Sequence, residues 1–289
     1  MGKSKTGGTR GYIRGRIAND VYSIGKDGKG KKQQVIRSLA ESVANPRTSS
    51  QMFGRMVMST VMQAVSGLSA IIDHSFDGLA SGQPNISEFI RQNYALVSAD
   101  AKAHPASGNS FGLVKFGEKG IRQGAYQISD GKVEANTSVF SFDANITKLL
   151  ITVYGETLNV AAVKESMGLS ADDYCTLVAV TVLNTVEFVR LRINPALSDD
   201  TVITAENVNT LFVTEGNADA FFDLTNGAIT VATAAMGGCA GFILSKKENG
   251  AYQHSKSVMR VTAGANYNSD AALPTYPTGN EQFLNGGDI

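Results

Sequence analysis

The sequence predicts an α+β fold: a basic N-terminal arm carrying a β-hairpin, a long helical hairpin, an antiparallel β-rich, sandwich-like body, and an extended C-terminal tail. Three observations predict it. Apolar residues recur every three to four positions between residues 45 and 105, they recur at about every second position beyond residue 111, and the cations crowd toward the start of the chain. A chain of 289 residues can bury one large core or two modest ones. The expected divisions are an arm (1–44), a helical hairpin (45–105), a β-rich body with one short helix (106–262) and a tail (263–289).

The formal net charge of zero conceals a split. Residues 1–56 hold twelve Lys or Arg against three Asp or Glu, so the first 56 residues carry +9 and the remainder −9. Such an arm suits an anionic partner, either nucleic acid or an acidic protein surface, including the body of another copy.

Residues 1–11 are basic and glycine-rich with no apolar period. Two β-prone runs follow, containing Tyr12, Ile13, Ile17, Val21, Tyr22 and Ile24, then Val35 and Ile36. They flank GKDGKGKK, whose Asp27-Gly28 step favours a tight turn. A two-stranded hairpin is marginal in water, so this one needs another sheet, subunit or polymer to hold it. Asn45-Pro46 breaks the chain, and Thr48 with Gln51 forms a capping box at the head of a long helix. Phe53, Met56, Val57, Val61, Ala64, Leu68, Ile71 and Ile72 supply its buried stripe, and Met52, Met58 and Met62 widen it, as core or as a second face that meets a neighbouring subunit. Asn85 with Glu88 reads as the cap of a second helix, whose apolar face holds Ile86, Phe89, Ile90, Tyr94 and Val97. Strand patterns then occupy 111–118, 121–128, 132–140 and 146–154, with a hairpin turn at Asp130-Gly131. A short helix is expected from Asn159 to Met167, closed by Gly168. Thr176–Leu183, Val186–Ile193, NTLFV, GAITVAT, CAGFILS and AYQHSKSVMRV continue the strands, with a turn at Asn249-Gly250. The last 26 or so residues lack periodicity and suit a tail extended along a partner.

Catalytic chemistry finds little footing. His74, His104 and His254 have no second His or Cys at metal-ligand spacing, and no G-x-S-x-G elbow exists to pair a serine with His254. Asp172-Asp173 and Asp199-Asp200 read as caps and turns. Gly2-Lys3-Ser4 lacks the strand and earlier glycine of a phosphate loop, and the myristoylation pattern of MGKSKT is short. Cys175 and Cys239 lie in apolar runs and are expected as buried thiols of a reducing compartment. No stretch is expected to span a membrane, and no signal peptide is apparent, so a soluble intracellular product is expected. The chain is therefore expected to be no enzyme, with no cofactor and no metal.

The candidate contact residues are Arg10, Arg14, Arg16, Lys29, Lys31, Lys32 and Arg37, around Tyr12 and Tyr22, where phosphate contact and stacking are both available. Arg47 and Arg55 bracket the positive end of the first helix and call for an acidic partner. No DNA-binding motif frames these cations, and protein assembly is preferred over nucleic acid.

The pattern GYIRGRIANDVY, followed by a Gly/Lys turn, VIRS and ANPRTSSQMFGR, resembles a group of proteins encoded by Bacteroidetes and their tailed phages. The NPRT-x-x-Q-x-x-x-R segment (Asn45, Pro46, Arg47, Thr48, Gln51, Arg55), the Phe-Ile-x-x-Asn segment from Phe89 to Asn93, and GFILSKKENGAYQHS together look like virion-associated proteins of crAss-like phages. The resemblance covers about the first hundred residues and one later hairpin. It implies a virion component assembled in the bacterial host cytoplasm: a ring protein of the neck or tail, an auxiliary capsid protein, or a packaged one. Its implied partners are other copies and other virion proteins, with DNA as a possible partner of residues 1–44 and no membrane.

Overall fold

The computed structural model describes residues 3–4, 13–17, 20–26, 28–38, 49–103, 113–114, 119–234 and 236–262. It is a mixed α+β chain whose contacts divide it into two units, one ending at Pro46 and one beginning at Arg47. The first unit is a four-stranded antiparallel sheet in sequence order: β1 (Lys3–Ser4), β2 (Ile13–Ile17), β3 (Asp20–Lys26) and β4 (Lys32–Ser38). The turn between β3 and β4 passes through Gly28 and Gly30, the latter at φ 76°.

In the second unit, α1 (Ser49–Ile72) and α2 (Gln83–Ala103) come first. They run in opposite directions, since Phe53 near the start of α1 meets Lys102 near the end of α2, with the ammonium 5.7 Å from the ring centroid. The Asp73 carboxylate holds the connection by accepting from the Gly82 N–H (2.8 Å) and the Ser81 hydroxyl (3.0 Å). Thr48 lies outside the described residues. Asn85 does not cap α2: the helix begins at Gln83, and Asn85 is buried in its first turn, donating back to the Ala80 carbonyl at 2.7 Å. By length and composition α1 could also cross a bilayer, with mean hydropathy 1.3 over its most apolar 18 residues, which corrects the expectation that no stretch does; half of those residues are buried.

The body follows with β5 (Gln127–Ser129), β6 (Phe140–Phe142), β7 (Leu149–Thr152), α3 (Val160–Met167), β8 (Tyr174–Val180), β9 (Val186–Ile193), β10 (Phe212–Gly216), β11 (Ala220–Thr225), β12 (Ala228–Thr233), β13 (Cys239–Glu248), β14 (Ala251–His254), β15 (Ser257–Val258) and β16 (Arg260–Val261). A six-stranded sheet runs β10-β9-β8-β13-β14 with β16 paired to β13, a four-stranded sheet runs β11-β12-β7-β6, and β15 pairs with β5.

The six-stranded sheet is the central layer, and β8 shows why. Its residues Cys175, Leu177 and Ala179 enter a core shared with Phe140, Leu149, Ile151, Ile229 and Val231 of the four-stranded sheet and Val160, Val163 and Met167 of α3. The alternate residues Val178 and Val180 enter a second core with Val57, Val61, Leu68 and Ile72 of α1 and Phe89 and Val97 of α2. A strand buried on both faces reads as a continuous apolar run, as YCTLVAV does. β13 repeats the pattern, with Ala240 and Leu244 on one side and Cys239 and Ile243 on the other.

Several expected strands are not strands. Residues 121–126 are largely buried without strand structure, and the Gln123 side chain anchors them by donating to the carbonyls of Val180 (2.8 Å) and Gly237 (2.9 Å). The expected strand at 132–140 shrinks to an isolated bridge of Val133 with Ser255, ahead of β6. Asp130-Gly131 is no hairpin turn: Asp130 bridges to Phe76, and a Cβ on Gly131 would strike the His254 carbonyl and the Asp77 carboxylate. In contrast, β13 and β14 close through Asn249 (φ 51°) and Gly250 (φ 82°), and β11 and β12 through Asn226 (φ 51°) and Gly227 (φ 77°). Both turns have the two positive φ values of a type I′ hairpin.

Candidate functional site

Two surfaces compete for the role. The first is the N-terminal sheet. Register places Arg16, Val21 and Arg37 in one cross-strand row and Gly15, Tyr22 and Ile36 in the next, so the pleat assigns these rows to opposite faces. Arg14 pairs with Lys3 in the β1–β2 register. Lys29 and Lys31 sit in the β3–β4 turn, Lys32 opens β4, and all three are exposed, as is Arg37. On the other face Tyr22 and Ile24 are half-buried and Ile36 is 57% exposed, and no described residue from Asp20 to Ser38 is fully buried. Sequence reasoning thus found the cations, and the register adds that Lys32, opposite Lys26, falls on the Tyr22 and Ile36 side while Val21 and Val35 fall on the Arg37 side, so cations and apolar residues share both faces. Arg10 and Arg47 lie outside the described residues. Arg55 belongs to the second unit, half-buried on α1 with its guanidinium 3.7 Å from the Met52 sulfur.

The second surface is a cavity of about 630 Å3 at the end of α1, which sequence reasoning missed. The end of α1 contributes Asp73, His74 and Asp77, and the central sheet contributes Tyr174, Arg190 and Tyr252. His74 turns the chain in the left-handed region at φ 63°. Asp77 then fastens this connection to the body: it accepts from the His254 N–H (3.0 Å) and the Lys132 N–H (3.1 Å).

At the cavity wall Ser245 Oγ lies 2.9 Å from His254 Nδ1, a serine–histidine pair that corrects the reading of His254 as unpaired. Burial is the main reason the His254 pKa falls below its ordinary 6.5, which favours the neutral ring. Ser245 is 1% and His254 5% exposed, so the pair is a buried latch.

Compared with protein-family models, curated proteins and solved structures, the chain has no match in any of the three. Function is therefore argued from the surfaces themselves.

The other chemistry-bearing residues are engaged in structure. Asp173 accepts from the Ser170 and Lys247 N–H groups at 2.8 Å each, Asp172 pairs with Lys247 (3.4 Å), and Asp199 pairs with Lys164 (2.6 Å). Burial pushes the thiols of Cys175 and Cys239 up to about 12, which leaves them protonated and poorly nucleophilic. Among the described residues no three His, Cys, Asp or Glu side chains gather as metal ligands. Two surfaces among the described residues are open to recognition, the cationic N-terminal sheet and the Arg–Tyr cavity.

Proposed function

We propose that this chain is a structural component of a tailed-phage virion, a ring protein of the neck or tail or an auxiliary capsid protein, built into the particle in multiple interlocked copies. In this reading the N-terminal sheet is the basic arm, α1 and α2 form a helical hairpin at subunit contacts, and the sandwich-like body forms the wall. Assembly takes place in the bacterial host cytoplasm. No cofactor, catalysis or membrane partner is invoked.

The observation that carries the reading is the N-terminal sheet. It exposes Ile36 beside Tyr22 on one face, and none of the described residues between Asp20 and Ser38 is completely buried. A small sheet with exposed apolar residues is marginal by itself and gains stability when a partner covers it. The opposed charges of the first 56 residues and the rest make a second copy a suitable partner, and the resemblance to virion-associated proteins of crAss-like phages points the same way. Mass photometry across a concentration series should show defined oligomers, and mass spectrometry of purified particles should contain the chain. A protein that stays monomeric at high concentration and is absent from particles overturns the proposal.

The row through Arg16 and Arg37, with Lys29, Lys31 and Lys32 nearby, favours a second reading: a nucleic-acid-binding protein, packaged with the genome or acting in the host. Binding through these cations would fall steeply with salt, because each phosphate contact releases counterions. Affinity for DNA at low salt equal to that of a protein lacking residues 1–44 overturns this reading.

A further inference from the structure

The helices do not cover the whole of the central sheet. They bury Val178 and Val180 of β8, whereas Tyr174 of the same strand and Arg190 of β9 line the cavity at the end of α1. A second cavity of about 190 Å3 shares Tyr174, Arg190 and Tyr252 and adds Arg192. Tyr174 and Tyr252 meet edge to face at 5.0 Å, and the Arg190 guanidinium stacks 5.8 Å from both Tyr174 and Phe188.

These two arginines lack a counter-ion. Neither makes an ion pair within the described residues, and Arg192 Nε is buried with no acceptor. Glu215 stands opposite Arg190 in the β9–β10 register but does not reach it. Asp73 and Asp77 across the cavity already accept backbone N–H groups. A partly desolvated guanidinium with an unused donor is costly until an anion meets it.

We propose that residues 263–289 of the same chain fold back and occupy this face, with carboxylates on Arg190 and Arg192 and aromatic rings against Tyr174 and Tyr252. The segment has the matching chemistry: Asp270, Glu281 and Asp288, no Lys or Arg, and Tyr267, Tyr276 and Phe283. It also has the reach. The chain leaves the sheet at Thr262, whose N–H bonds to Gly238, beside β16 at the Cys239–Ala240 end of β13. Ser245, the register partner of Tyr174, is seven residues from Gly238 along β13, about 23 Å away. Eight residues separate Thr262 from Asp270, about 26 Å of extended chain, and Glu281 lies further on. This assignment uses only the second unit and does not depend on the virion reading.

The test places a photo-crosslinking benzoylphenylalanine at Tyr276 in the full-length protein, prepared as an equal mixture of 14N- and 15N-labelled chains. Links should map to the β8, β9 and β14 peptides, within single chains, and fall by about tenfold in R190E/R192E, as losing one charge-assisted hydrogen bond would produce. Reversing the segment's own charges (D270K, E281K, D288K) in that variant should restore them, which a merely misfolded variant would not permit. Links to other regions, links indifferent to the arginines, a loss that charge reversal does not rescue, or links only between copies would overturn the proposal.

Discussion

Asn93 shows how much one buried side chain can organise. It is fully buried on α2, and its amide meets β5 twice, accepting from the Gln127 N–H (2.8 Å) and donating to the Gln127 carbonyl (2.9 Å). The side chain thus imitates a neighbouring strand and joins helix to sheet. Asn93→Ala leaves both backbone groups unpaired in the core, so it should cost about 3 kcal/mol in urea unfolding, more than a simple loss of packing at a polar site. His254 gives the protein an acid-sensitive point. Because burial depresses its folded pKa below 6.5, the unfolded chain takes up the proton first. The stability from a neutral His254 is therefore complete above about pH 6.5 and declines as pH falls toward the folded value. The carboxylates of Asp73, held low by the Gly82 N–H, and Glu88, held low by Arg91, lose their contributions only at lower pH. Thermal melts from pH 7.5 to 5 should show a fall for the native protein and a flatter profile for His254→Gln. The Ser245–His254 contact was legible in advance: a two-residue turn at Asn249-Gly250 places residues 245 and 254 opposite each other. Asp77 was not legible, because its partners at 132 and 254 are distant in sequence.

At the scale of elements, α3 is the clearest case of local chemistry sufficing. Asn159 caps it by accepting from the Ala162 N–H (2.8 Å), and Gly168 ends it in the left-handed region at φ 63°. Both boundaries could be read from the sequence, since caps depend on neighbours within a turn or two. Asn159→Ala should cost about 1 kcal/mol, measured as a lower denaturant midpoint with an unchanged slope. The Asn226-Gly227 turn carries the same kind of signal, and reading it would have found β11, whose AFFDLT alternates weakly. The strand expected at 121–128 begins only at Gln127, with β5. The alternating apolar residues before it satisfy a strand pattern, yet Ile121 and Tyr126 are buried in the core they share with the helices, and the Gln123 side chain supplies anchoring bonds that a ladder would have made. Asn85 misled for a related reason, because its capping chemistry is spent on Ala80 from inside the first turn.

For the whole molecule, the cores are the second unit's own: among the described residues, no buried hydrophobic residue precedes Met52. Deleting residues 1–46 should leave the thermal midpoint within about 2 °C of the intact protein, because none of the described residues removed is a buried hydrophobic one, while abolishing the oligomers expected by mass photometry. A large loss of stability would mean that the arm supports the fold. By itself the sequence determined the α+β class, the charge division near residue 56, the long first helix, the caps of α3 and the Asn249-Gly250 turn. These follow from periodicity, composition and contacts within a few residues. Only the tertiary structure decided that the six-stranded sheet is buried on both faces, that Asn93 and Asp77 bind distant backbone, and that Arg190 and Arg192 sit unpaired beside two tyrosines. Those facts depend on which distant strands pair and which faces the helices leave uncovered, and such long-range choices are made by burying the whole chain at once.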